Sequence, residues 1–282
     1  MNLQNIIPKG GPVIEEVKKY ITKYAEEIIV IKCGGSVLLD SNLFNQFIED
    51  IAVINKLGLN AVVIHGGGKN IKKKLDEQNI KSEFINGLRV TDAKTIKIVE
   101  EALLELNSEI IKRLSLKKCK AQAITVKKNN IITTKPEKKE LIFVGNPKNV
   151  EKKKLLEIIN KKEVPVIIPM GIGEDNKIYN INADVAAGAV AKTLNSRRLL
   201  LMTDVDGVLD KNGKLISEIN SDIAKKMLKN GTISGGMIPK INTCVEAVKN
   251  GVTGVVIVDG RKQHSILFEL LSDKGAGTLI RK

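Results

Sequence analysis

Tryptophan is absent from the 282 residues and aromatic side chains make up only 3% of them, although hydrophobic residues reach 43%. A sizeable core must therefore be aliphatic, built from Ile, Leu and Val. The same scarcity removes the basic, aromatic-rich stretches on which single-stranded nucleic acids stack. Cysteine is rare too. Cys33, Cys119 and Cys244 are an odd set without C-x-x-C spacing, which argues against a disulfide scaffold or a zinc cluster. No run approaches the roughly 18 uncharged apolar residues of a membrane span, and no basic-then-apolar leader opens the chain. A cytoplasmic protein without a membrane partner is expected. Two nucleotide fingerprints are missing: no G-x-x-x-x-G-K-[ST] loop occurs, and no G-x-G-x-x-G follows a strand.

Charge of one sign is in surplus, with 46 Lys and Arg against 32 Asp and Glu, a formal net charge of +14. The lysines are scattered rather than clustered, so they read as a solvated surface, with a share in steering anionic substrates. No nucleic-acid partner is expected.

What the chain does contain is a regular alternation. Runs of Ile, Val and Leu end at glycine or an acid: Ile28–Cys33 before Gly34, Ala61–His65 before Gly66, and Val164–Met170 before Gly171. Leu199–Met202 before Thr203-Asp204 and Val255–Val258 before Asp259 complete the set. Such runs are strands buried on both faces. Helical patterns separate them, one starting near Thr91-Asp92, others near Asn70–Gln78, Ser221–Lys229 and Pro239–Asn250. The alternation predicts an α/β fold, a three-layer α/β/α sandwich around a mainly parallel central sheet in two lobes. Ligands in such sheets gather at the carboxyl ends of strands, where these glycines stand. From Pro12, a separate amphipathic helix would place Val13, Val17, Tyr20 and Tyr24 on one face, to dock on its own domain or on another subunit. The lobe boundary is expected near Asn195–Arg197.

Four constellations sit where chemistry would. Lys32 leaves the first strand beside Gly34-Gly35, a point charge next to backbone N–H groups that can approach phosphate oxygens. His65-Gly66-Gly67-Gly68 opens a helix and exposes N–H donors at its positive end; His65 itself reads as a packing or hydrogen-bonding residue. Asn180-Ile181-Asn182-Ala183-Asp184 brings two amides and a carboxylate to a helix start, as caps or as holders of a polar substrate. In Gly235-Gly236-Met237-Ile238-Pro239-Lys240, a lysine falls in a first helical turn, where the dipole disfavours it unless an anion faces it. Lys32 and Lys240, anchored by Asp184, would form a clamp for phosphoryl transfer.

In order along the chain, KCGGSVL, HGGGKNI, NGLRVTD, YNINAD, TDVDGVL and GGMIPK resemble the amino acid kinase family, in particular its members that phosphorylate N-acetyl-L-glutamate. The resemblance runs from about Ile28 to the C-terminus. It implies a kinase that uses ATP with Mg2+ to convert N-acetyl-L-glutamate to its 5-phosphate in arginine biosynthesis. Lys32 and Lys240 would then neutralise the transferring phosphoryl group, with Asp184 positioning both. Gly35, Gly67 and Gly68 would offer N–H groups to phosphoryl and substrate oxygens, while Arg89 and Asn180 hold the acylated amino acid. Asp204, Val205, Asp206, Gly207, Val208 and Leu209, with Thr232, Ile233 and Ser234, match stretches that line the ATP site. No metal ligand is assigned to the chain. Two positions depart from the family pattern: Lys69 stands where proline is common and Cys33 where Tyr or Leu is usual. Neither is expected to touch the chemistry.

The N-terminal segment resembles the extra helix of arginine-inhibited, hexameric members of the family. Tyr20, Glu269 and Gly275 would then belong to an L-arginine effector site. The implied organisation is an oligomerisation and regulatory helix over 1–27, a substrate-binding and dimerisation lobe over 28–195, and an ATP-binding lobe with the effector region over 196–282. A homo-oligomer is expected, a hexamer built from three dimers or else a dimer. The alternatives are a kinase of the same family acting on aspartate, glutamate, carbamate or UMP, or a catalytically silent arginine-binding regulator.

Overall fold

The computed structural model describes residues 2–282. Its strands, in chain order, are β1 (Ile28–Cys33), β2 (Asn60–His65), β3 (Phe84–Ile85), β4 (Leu88–Arg89), β5 (Ala121–Ile124), β6 (Ile132–Pro136) and β7 (Gly145–Val150). They continue with β8 (Val164–Ile167), β9 (Met170–Gly173), β10 (Ile178–Asn180), β11 (Arg198–Thr203), β12 (Glu218–Asn220), β13 (Val255–Asp259) and β14 (Gly277–Arg281). The helices are α1 (Ile14–Tyr24), α2 (Gly35–Leu39), α3 (Ser41–Lys56), α4 (Gly68–Glu77) and α5 (Thr95–Leu116), then α6 (Lys152–Asn160), α7 (Ala183–Thr193), α8 (Ser221–Lys229), α9 (Met237–Lys249) and α10 (Ser265–Leu271).

Eight strands form one sheet in the order β12-β14-β13-β11-β1-β2-β8-β5. The run from β13 to β5 is parallel throughout, and β14 pairs antiparallel with β13. Side chains alternate across this sheet, so each central strand feeds two cores. Val30, Val62, Leu199 and Val255 point to the layer holding α6, α7, α8 and α9. Ile29, Val63, Leu200 and Val256 point to the layer of α1, α3, α5 and α10. The three-layer sandwich follows directly from strands that are aliphatic on both faces.

The apolar run Val164–Met170 is not one strand. Pro169 has no N–H to give a ladder, β8 stops at Ile167, and Met170 opens β9 in a second, four-stranded sheet ordered β10-β9-β6-β7. Asp92 caps α5 by accepting from the N–H of Thr95 (2.7 Å) and of Lys94 (3.1 Å), so that helix begins three residues beyond the cap. Helix α9 starts at Met237, ahead of Pro239.

Helix α1 docks on its own chain. Val17 and Tyr24 are fully buried with Ile266, Leu270 and Leu271 of α10. Val13 departs from the expected face: it precedes the helix and is 58% exposed.

Candidate active site

Two adjoining clefts open at the carboxyl ends of β1, β2 and β11. Gly66, Gly67, Leu103, Asn180 and Asp184 wall the first; Gly34, Lys69, Lys72, Asp204 and Lys240 wall the second. Lys32, Gly35, Gly68, Phe84 and Arg89 border both.

At the join, Lys32 Nζ lies 2.9 Å from Asp184 Oδ1 and Lys240 Nζ lies 2.6 Å from Asp184 Oδ2. The three side chains are only 11–16% exposed. Local structure explains the meeting. Lys32 shares a strand face with Val30, which the alternation of β1 turns toward α7. Asp184 is held in the first turn of α7 by Asn182, whose Oδ1 accepts from the N–H of Asp184 (2.9 Å) and of Val185 (3.2 Å). One turn further along, Gly188 packs so closely on α9 that an added Cβ would sit 3.3 Å from Thr243 Cγ2. Stepping back one turn from each, Asp184 and Lys240 face one another. Burial alone would push the Asp184 carboxyl up, but the ammonium groups of Lys32 and Lys240 outweigh it and hold the group at about 2. Asp184 is therefore ionised at neutral pH, and the trio carries one net positive charge.

Arg89 is buried beside the first cleft. Its Nη2 donates to the Gly68 carbonyl (3.1 Å), its Nη1 donates to Ser82 Oγ, and its guanidinium lies 4.7 Å from the Phe84 ring centroid. Thr91 Oγ1 donates to the Arg89 carbonyl (2.8 Å) and accepts from Asn180 Nδ2 (3.4 Å), so the segments around Arg89 and Asn180 are stitched together. The Gly66 N–H is used on the Cys33 carbonyl (2.9 Å). Gly67 and Gly68 stand at the start of α4, where first-turn N–H groups have no helical partner. A Cβ on Gly67 would lie 2.7 Å from Leu103 Cδ2, so a side chain here would require Leu103 to move. His65 is fully buried and is held at about 4 by that burial, hence neutral. Asn107 Nδ2 lies 3.1 Å from its Nε2 and the Gly66 carbonyl 3.2 Å from its Nδ1, which assigns the proton to Nδ1.

Among the remaining residues expected at a nucleotide site, only Asp204 borders the second cleft. Val208 and Ile233 bury their side chains in the core, and their N–H groups are taken by Thr278 Oγ1 and the Met227 carbonyl. Gly207, at φ +144, passes so close to Thr278 that a Cβ would sit 2.6 Å from its Oγ1. Asp206 is paired with Lys262 at 2.6 Å. Val205, Leu209, Thr232 and Ser234 lie outside the regular helices and strands and are not in the cleft's wall.

The three expected effector residues share one neighbourhood away from the clefts. Tyr20 OH donates to Asp273 Oδ1 (2.9 Å), the Glu269 carboxylate accepts from the Ala276 N–H (2.7 Å), and Gly275 bends at φ +65 over that carboxylate. Burial pushes the Glu269 carboxyl up, partly offset by the Ala276 amide. His264, at the start of α10, is closed against buried Asp50 (Nδ1 to Oδ1 2.7 Å).

Sequence reasoning overlooked Phe84 and Lys72 and set Lys69 aside. Lys69 lines the second cleft. The available signal was helical spacing: positions 69 and 72 share a face of α4. Cys33 does point away, buried among the α3 layer.

The profile described as "Amino acid kinase family" matches residues 27–259. A protein of Pelagibacter ubique (strain HTCC1062) named "Acetylglutamate kinase" is 58% identical over 99% of this chain and 97% of its own. Another of that name, from Bartonella tribocorum, is 41% identical over 98% of this chain and 96% of its own. The solved N-acetylglutamate synthase of Neisseria gonorrhoeae, in complex with coenzyme A and N-acetyl-glutamate, superposes with a TM-score of 0.86 at 23% identity. It covers 95% of this chain and 62% of that one, a likeness of fold.

Proposed function

This chain belongs to the amino acid kinase family, and on that premise we propose that it transfers the γ-phosphoryl group of ATP to the side-chain carboxylate of N-acetyl-L-glutamate, a step of arginine biosynthesis. The observation that carries the reading is a single carboxylate holding two ammonium groups at the join of two clefts.

The acylated amino acid occupies the first cleft and the nucleotide's phosphates the second. Arg89, already braced by Ser82, Gly68 and Phe84, presents its guanidinium to the substrate's α-carboxylate. Asn180 supplies a side-chain amide to the same molecule. One oxygen of the side-chain carboxylate attacks the γ-phosphorus as the bond to the β,γ-bridging oxygen breaks, and ADP leaves with that electron pair. No proton moves, so no general base is needed. Lys32 and Lys240 face the charge that spreads over the transferring group, and the N–H groups of Gly35, Gly67 and Gly68 receive its oxygens and the substrate's. Asp184 keeps two like charges close together before the phosphate arrives, so little reorganisation is needed during the reaction.

Magnesium accompanies the nucleotide and supplies further neutralisation of its phosphates when bound. Among the described residues no three His, Cys, Asp or Glu side chains cluster to hold a metal, and Asp204 is the carboxylate in the second cleft suited to face a nucleotide-borne ion.

We assign residues 28–195 to the substrate lobe and 196–282 to the nucleotide lobe. A cytoplasmic location is in keeping with the absence, among the described residues, of a helix long and apolar enough to cross a membrane. The neighbourhood of Tyr20, Glu269 and Gly275 is our candidate for feedback by L-arginine in a hexamer linked through α1. Glu269→Gln and Tyr20→Phe should each raise the arginine concentration needed for half-inhibition; an unchanged value in both would remove the effector assignment.

The reading is tested by ADP release with N-acetyl-L-glutamate beside aspartate, glutamate, carbamate and UMP. Turnover with the first alone is expected. Preference for another acceptor would replace the substrate while keeping the family, and ATP-independent arginine binding without turnover would leave a silent regulator.

A further inference from the structure

Helix α4 carries lysines at 69, 72, 73 and 74, and its packing sorts them. Ile71 and Leu75 are buried against Val99, Ala102 and Leu103 of α5, which fixes the rotation of the helix. Lys74 then reaches across to Glu101 (2.8 Å) and Glu105 (2.9 Å). Lys69 and Lys72, three residues apart and on one face, border the second cleft with Lys32, Arg89 and Lys240. That cleft holds five cationic side chains and one carboxylate, Asp204. Lys32 and Lys240 are already committed to Asp184. Lys69 and Lys72 are exposed and, among the described residues, make no ion pair. Lys69 also lies in the first turn of its helix, where a cation costs stability unless an anion is present.

We propose that Lys69 and Lys72 form an outer pair of cations that grips the polyphosphate tail of the incoming nucleotide, opposite the inner pair Lys32 and Lys240. This rests on the kinase reading and adds a division of labour to it. The inner pair, desolvated and preorganised, acts on the γ-phosphoryl group in flight. The outer pair, on flexible stems in solvent, acts on the nucleotide whether or not transfer occurs. Lys69 and Lys72 are positioning residues in this scheme and touch no reacting bond.

The test compares wild type with Lys69→Gln, Lys72→Gln and the double variant, measuring KM for ATP, KM for N-acetyl-L-glutamate and kcat between low and moderate salt. A hydrogen-bonded ion pair to phosphate corresponds to about tenfold in affinity. The double variant should therefore raise KM for ATP by about tenfold or more, change kcat and the acyl-substrate KM by less than about threefold, and flatten the salt dependence of KM for ATP. Lys69→Arg and Lys72→Arg should retain most of the nucleotide affinity, which a purely structural role would not require. An unchanged KM for ATP and salt slope in the double variant, with wild type active, overturns the outer pair alone. Wild type that consumes no ATP with any acceptor overturns the kinase reading beneath it. Direct titration with ADP gives a second readout, and equal ADP affinity in wild type and the double variant also refutes the proposal.

Discussion

Lys240 Nζ lies 2.6 Å from Oδ2 of Asp184, although 56 residues separate them in the chain. Chain proximity plays no part in this contact. It depends on α7 and α9 running side by side from a crossing at Gly188 and Thr243, with the two charged residues one turn nearer the helix starts.

Because the crossing sets the contact, Gly188→Val should separate the helices without touching any charged group. A displacement of about 1 Å at a phosphoryl-transfer site can cost on the order of 100-fold in rate. We expect kcat to fall by about that much with KM for either substrate nearly preserved. Normal turnover in a folded Gly188→Val protein would show that the close approach is dispensable.

Direct removal of the inner cations should be costly in the same parameter. Lys32→Ala and Lys240→Ala are each expected to lower kcat by about 10²–10³-fold, with smaller effects on substrate affinity. Asp184→Asn should match that loss and also destabilise the fold by about 3 kcal/mol, since it leaves two nearly buried ammonium groups without their counter-ion. Urea unfolding midpoints beside steady-state kinetics separate the two effects, and an Asp184→Asn enzyme with full stability and turnover would remove the clamp.

Arg89→Lys should act on binding. Lysine keeps the charge but loses the forked donors that now reach Ser82 and Gly68. KM for N-acetyl-L-glutamate should rise about 10- to 100-fold while KM for ATP stays level. The reverse pattern would exchange the two clefts.

How legible all this was from residue order varied with its cause. The β1, β2, β11 and β13 strands stood out because burial on both faces demands unbroken aliphatic runs, and Ser221–Lys229 was bounded by its own caps. The small sheet was hidden, since β6 and β7 read ITTKP and GNPKNV and gain their apolar contacts only from the tertiary fold. Pro169 looked like part of a strand because its apolar neighbours outweighed its missing donor. Lys32 and Lys240 could be singled out since each is an awkward place for charge, and Asp184 because a carboxylate could anchor both; the structure brings the three together. Phe84 and Lys72 were missed: spacing puts positions 69 and 72 on one helix face but does not show which cleft that face, or the hairpin at Phe84, overlooks.

Acid should draw down two separate contributions to stability. His65 is neutral in the fold, held at about 4 by burial against an ordinary value near 6.5. Its folded pKa is depressed, so the associated stability is complete above pH 6.5 and drains away as pH falls toward 4. The amount is on the order of 3 kcal/mol. Asp184, held at about 2, contributes stability that is intact above about pH 4 and lost only toward pH 2. Thermal melts across pH 7 to 4 should show the first decline in wild type and a shallower one in His65→Gln. Parallel slopes would mean that His65 is not the group responsible.

The eight-stranded sheet runs unbroken beneath both clefts: β1 pairs with β11 over Ile29 to Lys32 and with β2 over Ile28 to Cys33. The segment at which two lobes would part, 195–197, is itself tied in, with the Arg197 N–H bonded to the Ile28 carbonyl. Among the described residues, that segment is no loose tether. A rigid-body approach of the halves would change the twist between neighbouring strands. Any such movement would be shared among many strand-to-strand hydrogen bonds rather than concentrated at one joint.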